Sequence, residues 1–555
     1  MKTSRLECLV AVLTIAVLAA GCGSSTPSPT APPSPPAQGS SAVASAVVSA
    51  SASAVVSASA SAAASSSGSS FTPTFAETPC PADLTAVLVD PPACGYLAVL
   101  EDRAKPAGRT IRVFVARVDP PGGTTTPDPL LVLGESLGEQ MEYGGVAPAA
   151  VRTHRSLYVV DMRGIGHSEP NLDCPEVRAI GPLLAGLPLG NSTHGSTLAG
   201  AVKACHDRLT GAGIDLAAYD LASDAADIED LRLALGIDRW DVGANGSASR
   251  IGFELANRYP DSIRALYADS PSIPSPDQLS IGPAALDSAM AGLAAACAGD
   301  RTCSRQAPDL PAAVDEAVAK LDAHPLTFDV NGIPAATQLG RPIRVVVDGA
   351  ALLRWIRASL STDGGGNAGF VVRDVLRVLD GKVTATDPLV AALASDPGDC
   401  LGLYPGCERM TFGALYSIVC RDIGPSVDRA AIDQAVRGRS AWAQLFDPAA
   451  ILAPCDAWSV APAGQAPAAG SPTAGVRSLL MSGALDPFTI PSAQLAAAVA
   501  GDPAATVLEI PNQSYNVLGY TECPRTIRNA WLDLPSGPPP DTTCLGHIGP
   551  VNLQP

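Results

Sequence analysis

Trp240-Asp241-Val242-Gly243-Ala244-Asn245-Gly246-Ser247-Ala248-Ser249-Arg250 reads as strand, tight turn and the opening of a helix that runs on toward Arg258-Tyr259-Pro260. This is the build of a nucleophile elbow, in which a sharp turn between strand and helix lifts its tip residue above a sheet. The tip here falls on Gly246. Glycine suits the backbone of such a turn and carries no group that could attack a substrate.

Working outward, short β-rich runs recur at intervals that suit a wound sheet. Thr110 to Val118 alternates, Leu130 to Leu133 and Leu157 to Asp161 are continuous apolar runs, and Trp240 to Gly243 and Ala265 to Ala268 follow. Between them Ser223 to Leu235 has helical period, with Ile228, Leu231 and Leu235 on one face and Gly236 as its stop. Alternating strand and helix imply an α/β fold with a mostly parallel, doubly wound sheet covered on both faces. After Asp269-Ser270-Pro271 the pattern turns to Ala-rich helical stretches, such as Ala284 to Cys297 and Leu310 to Leu321. Strand and helix return at Val476 to Met481, Ser492 to Ala500 and Ala505 to Ile510, behind a Pro/Gly/Ala-rich linker from Pro462 to Gly475. The expected organisation is a leader over 1–22, a tether over 23–76, a first core segment over 77–272, an inserted helical cap over 273–455 and a second core segment over 456–555.

The leader carries Lys2 and Arg5, an apolar run from Leu9 to Leu18, and Ala19-Ala20-Gly21-Cys22. Together these read as a secretory signal ending in a lipoprotein cleavage box, with Cys22 as the lipidated residue. An ordinary cleaved signal or an uncleaved anchor are the competing readings, because Ala19 stands where such boxes carry a larger aliphatic residue. No later stretch reads as continuously apolar for long enough to cross a bilayer. From Gly23 to Ala76 there is no charged residue and the composition is almost entirely Ser, Ala, Pro, Val, Gly and Thr. Such sequence buries too little apolar surface to fold, and a tether of this length spans on the order of 40 Å. The expected location is outside the cell, on the membrane through the lipid.

The formal net charge is -18 and Lys and Arg never gather into a basic stripe, which argues against a nucleic-acid partner. Of the 14 cysteines, Cys8 falls in the leader and Cys22 in the cleavage box, leaving an even number in an exported chain. Sequence leaves their connectivity open. Pairing neighbours joins Cys80 to Cys94, Cys174 to Cys205, Cys297 to Cys303, Cys400 to Cys407, Cys420 to Cys455, and Cys523 to Cys544. Zinc ligation is disfavoured, since it wants closer spacing with histidines nearby; neither a metal nor a cofactor is expected.

Several stretches together resemble the secreted tripeptidyl aminopeptidase and proline iminopeptidase branch of the α/β-hydrolase superfamily. They are Cys94-Gly95-Tyr96-Leu97, the run Val160 to Pro170 followed by Cys174, the elbow and its helix, Gly483-Ala484-Leu485-Asp486-Pro487, and Cys523-Pro524 with Cys544. The resemblance implies an α/β-hydrolase fold with an inserted helical cap. Relatives look like Trp-Asn-Leu-Tyr-Gly-x-Ser-Tyr-Gly-Thr-Arg through the elbow, so the nucleophile position falls on Gly246 and the flanking glycines become Ala244 and Ala248. The triad acid falls on Asp486, which is retained. The histidine position falls on Tyr515 in Pro511-Asn512-Gln513-Ser514-Tyr515-Asn516, and the oxyanion loop Gly-Gly-Pro-Gly becomes Gly134-Glu135-Ser136-Leu137.

Three separated departures, all in catalytic parts, point to lost chemistry. A phenol with an ordinary pKa of about 10 is a poor proton shuttle near neutral pH, and Glu135 puts a carboxylate where donors should meet a developing negative charge. The expectation is an inactive relative that binds a peptide or small molecule between core and cap. The alternative is a working exopeptidase or esterase using Ser247 or Ser249, set against the reading of both as small polar residues opening a helix. None of the six histidines, His154, His167, His194, His206, His324 and His547, occupies the triad slot. With no histidine to orient, Asp486 is left to Tyr515 or to local backbone donors.

Overall fold

The computed structural model describes residues 71–553 apart from 83, 85–91, 121, 125, 135–154, 190, 275–277, 362–367, 397–409, 464–470 and 540. The leader, the tether up to residue 70, Cys22, Glu135, His154, Cys400 and Cys407 therefore lie outside the described residues.

Among the described residues nine strands form the central sheet: β1 (Thr74–Thr78), β2 (Ala93–Leu100), β3 (Thr110–Val118), β4 (Leu130–Leu133), β5 (Leu157–Asp161), β6 (Trp240–Asn245), β7 (Ile263–Asp269), β10 (Ser478–Gly483) and β11 (Ala505–Ile510), with β8 (Leu326–Val330) and β9 (Ile343–Val347) pairing separately. Their spatial order is β1-β2-β3-β5-β4-β6-β7-β10-β11. The pairs from β1 to β5 across β3 are antiparallel, and every neighbour from β5 onward to β11 is parallel. The parallel part is buried on both faces. Leu131, Tyr158, Val160 and Val242 pack in one cluster and Leu130, Leu157, Val159 and Ala265 in another, as alternation along a strand requires.

The expected strands appear close to their predicted bounds, with β6 and β7 each slightly longer. Two features differ. The tether expected to end at residue 76 instead runs into β1, whose Thr74 to Thr78 pair with Ala98 to Cys94 of β2; β-sheet pairing, which composition does not register, holds those residues. Helix 221–235 begins two residues earlier than predicted, because Asp220 caps it by accepting the Ser223 N–H at 2.8 Å. It ends as predicted at Gly236, whose φ is 65°.

The stretch expected as a helical cap also contains the antiparallel pair β8–β9. Leu286, Leu293, Val345, Leu352, Val375 and Phe446 share a second core of their own. Phe412, Ala414, Cys420 and Trp458 pack instead into the main core. One helix within this block, Leu279–Gly299, is long and apolar enough by length and composition to cross a membrane, contrary to the sequence expectation. It contains Pro283, and half of its apolar window is buried, with Leu286 and Leu293 wholly inside the protein.

Disulfides join Cys80 to Cys94, Cys174 to Cys205, Cys297 to Cys303, Cys420 to Cys455 and Cys523 to Cys544.

Candidate functional site

The site gathers at the carboxyl ends of the parallel strands, where loops leave the sheet. β6 ends at Asn245, Gly246 to Ala248 make one 3-10 turn, and the helix Ser249–Arg258 follows. Gly246 stands at the apex with φ of 53°, the left-handed region that glycine enters freely. Its carbonyl accepts from Ser249 Oγ at 2.6 Å and Ser272 N at 3.2 Å, which fastens the turn to the segment after β7.

Those bonds decide the role of Ser249. Its hydroxyl is wholly buried, donates to the carbonyl of Gly246, lies 3.1 Å from that of Ser272, and accepts the Ser272 N–H at 2.8 Å. It clamps the elbow turn to the segment after β7. Ser247 is half-buried and lines a cleft on the other side of the elbow.

Asp486 follows β10 and Tyr515 follows β11, the positions the resemblance assigns to acid and histidine. The Asp486 carboxylate accepts the N–H groups of Phe488 at 2.8 Å and Thr489 at 3.1 Å, and the Thr489 hydroxyl at 2.5 Å. Burial raises its pKa while these local donors oppose the shift. The Tyr515 hydroxyl donates to Asn245 Oδ1 at 3.2 Å, and its ring meets Phe488 edge-on with centroids 6.2 Å apart. A phenol thus abuts the strand end just before the glycine apex.

Beside them Asp269, at the end of β7, is fully enclosed and its pKa is pushed up to about 6, first by burial. It accepts the N–H groups of Val517 at 3.0 Å and Leu518 at 2.9 Å, so it anchors the loop that carries Tyr515. The sequence reading named Asp269 only as the end of a pattern; burial of both Asp residues beside the elbow is tertiary information.

His167 and His206 have structural surroundings. His167 Nδ1 lies 3.0 Å from Asp161 Oδ2, which also accepts the His167 N–H at 2.7 Å, and the His206 ring meets Trp458 edge-on. The turn between Asp161 and His167 needs glycine at 166: its φ is 56°, and an added Cβ would stand 2.3 Å from the Asp161 carboxylate. Among the described residues one group, Cys174, Glu176 and Cys205, has metal-ligand proximity. Its two thiols are joined as a disulfide and Glu176 pairs with Arg208 at 2.6 Å, so it offers no donor set.

The cleft lies between the elbow and the segment 410–423, with a volume of about 750 Å³ counted to its open mouth. Gly134 from the loop after β4, Met162 and Ile165 from the loop after β5, and Ser247, Arg250 and Ile251 form one wall; Met410, Ala414, Leu415 and Ile418 form another. Asp224, on the helix Leu221–Leu235, also lines it. The lining is mainly apolar with a few polar groups, as small-molecule sites usually are. It occupies the side where the residue after the apex and the loop after β4 lie, the oxyanion side of an intact elbow.

Sequence reasoning placed Gly134 and Ser247 here and missed Asp224, Arg250 and the 410–423 wall. One signal was available for Asp224. It precedes Ile228, Leu231 and Leu235 at helical spacing, in line with the apolar stripe.

A family model described as alpha/beta hydrolase fold matches residues 130–307. A tripeptidyl aminopeptidase of Streptomyces coelicolor is 26% identical over 217 residues, which make up 36% of this chain and 38% of that protein, so the match spans well under half of the relative. Among solved structures, the proline iminopeptidase of Mycobacterium smegmatis is 15% identical with a TM-score of 0.33, covering 76% of this chain and 94% of that one. A serine hydrolase of Cycloclasticus zankles is 11% identical with a TM-score of 0.33, covering 79% and 98%.

Proposed function

The chain has the α/β-hydrolase fold and a tripeptidyl aminopeptidase among its relatives, and from that premise we propose that it is an exported, lipid-anchored binding protein that has lost serine-hydrolase chemistry and keeps a ligand cleft between core and cap. One observation carries this reading: the elbow apex is Gly246 at φ 53°, and the residue in the histidine slot is Tyr515, hydrogen-bonded to Asn245. A nucleophilic mechanism needs a hydroxyl at the apex and a base within reach of it. In subtilisin, loss of the serine or the histidine alone lowers turnover by about a million-fold. The cleft beside the elbow supports retained binding. Lipidation of Cys22, export and membrane attachment rest on the leader, and the disulfides are in keeping with an extracellular site.

The test is reaction of the purified protein with a fluorophosphonate probe, read by intact mass and peptide mapping. No stoichiometric adduct is expected at any serine. An adduct at Ser247, which lines the cleft, restores the reading as an active exopeptidase or esterase and sinks this one.

A further inference from the structure

The 410–423 wall of the cleft is held to the core by charge as much as by apolar contact. Its helix Phe412–Ile418 widens into a π turn, Val419–Ile423, a departure from regular helix that is frequent at functional sites. The turn sets two adjacent side chains on the N-terminus of the helix Leu221–Leu235. Arg421 Nε donates to Asp220 Oδ2 at 2.8 Å, and Asp422, half-buried, accepts the Leu221 N–H at 3.1 Å. Cys420, bonded to Cys455, fixes the start of the turn; beyond it Ile423 packs with Val419 and Leu452 in a small cluster apart from the larger cores. Segments with so little buried apolar contact open locally before the fold as a whole does.

The charges at this junction are uneven. Asp220 and Asp224 face Asp422 from the helix Leu221–Leu235, and Glu254, paired with Arg258, faces it from the helix Ser249–Arg258, whose Arg250 lines the cleft. Asp456, on the helix Pro448–Trp458 that carries Cys455, is exposed. Arg421 is bound to Asp220, and Arg163 is bound to Asp227 through two hydrogen bonds. That leaves Asp224 and Asp422 with no guanidinium of their own, and Asp224, 2% exposed, has an Oδ1 that accepts no hydrogen bond among the described residues. Burial first, then like charges, raise both carboxyls, Asp422 to about 7.

We propose that this junction is a proton-operated latch on the cleft: with Asp224 and Asp422 protonated the turn lies closed on the helix Leu221–Leu235, and loss of the protons releases residues 421–427 and draws Ile423 out of the cleft wall. The latch regulates the site read above as a ligand cleft and rests on that reading, but its movement needs no ligand. The closed form holds these protons to a higher pH than the open one, so closure is complete in acid and is lost as pH rises through about 7. One carboxyl whose pKa falls from about 7 to about 4 on release changes the opening equilibrium by about 30-fold between about pH 5.5 and 8.5.

The experiment is hydrogen exchange of the full chain without ligand at those two pH values, read by mass spectrometry on peptides covering 414–427 and corrected for the intrinsic pH dependence of exchange. Protection of 421–427 is expected to fall tenfold or more at the higher pH, while peptides from β6, β7 and β10 keep theirs. Asp422→Asn retains an acceptor for the Leu221 N–H and does not ionise, so its fall shrinks to within about threefold. Asp456→Asn, which removes the exposed carboxylate nearby, leaves the fall as in the wild type. Equal wild-type protection at the two pH values, a tenfold fall that survives Asp422→Asn, or loss of protection in the core strands together with the turn overturns the latch. None of these outcomes bears on the binding reading, which is decided separately by the fluorophosphonate reaction.

Discussion

Gly246 keeps the left-handed backbone of the elbow turn and places no side chain at its apex. The φ of 53° at the apex costs a non-glycine residue about 1–3 kcal/mol, a cost active hydrolases bear to present a nucleophile. Gly246→Ser is therefore expected to lower stability by about 1–3 kcal/mol, read as a shift in the urea midpoint, and to produce no ester hydrolysis. Tyr515 hydrogen-bonds Asn245 and, as a phenol, is a poor acceptor for the serine proton near neutral pH. Turnover of a p-nitrophenyl ester by the single variant would contradict this account. The places of these residues were legible one by one, because Gly246, Asp486 and Tyr515 each follow a strand whose apolar run is visible in the sequence. The clamp made by Ser249 was not legible, since its partners Gly246 and Ser272 meet it only once β6 and β7 lie side by side.

The helix Leu221–Leu235 carries two burdens at once. Ile228 and Leu231 bury its apolar stripe, and Asp224 and Asp227 lie buried beside them. Asp227 is tied by two hydrogen bonds to Arg163, whose Nη1 also donates to the carbonyls of Glu101 at 2.8 Å and Ala218 at 2.7 Å, and Arg103 joins from the other side. Removing one partner of so enclosed a pair leaves an uncompensated charge, so Asp227→Ala is expected to cost about 3–5 kcal/mol by chemical denaturation. A loss below about 1 kcal/mol would show that water reaches Arg163. The period of 3.6 revealed this helix and its stop at Gly236. It carried no sign that Asp224 and Asp227 are buried, because the loop after β5 and the cap segment, distant in sequence, fold over them.

At the scale of the molecule, polar links stitch the cap segment to the core where the cleft lies: Arg421 to Asp220, and Asp422 to the Leu221 N–H. Burial pushes the Asp422 pKa up to about 7. The folded protein thus holds this proton to a higher pH than the unfolded chain, whose carboxyl titrates near its ordinary value of about 4. The sign follows: the contribution of this group to stability is fully present below about pH 4 and is lost as pH rises from there through 7. The expected loss from Asp422 is on the order of 2–4 kcal/mol between about pH 4 and 8. Asp422→Asn should remove that share of the pH slope in denaturation midpoints, and an unchanged slope would show that the carboxyl titrates normally. The sequence alone determined the wound sheet, the elbow and the missing hydroxyl at its apex, because strand and helix periods and turn residues act over a few neighbours. Only the tertiary structure decided that β1 extends the sheet, that Ser249 is committed to a clamp, and that Asp224 and Arg250 meet the 410–423 wall across a cleft. Burial and charge compensation depend on which distant segments pack together, and no local pattern records that.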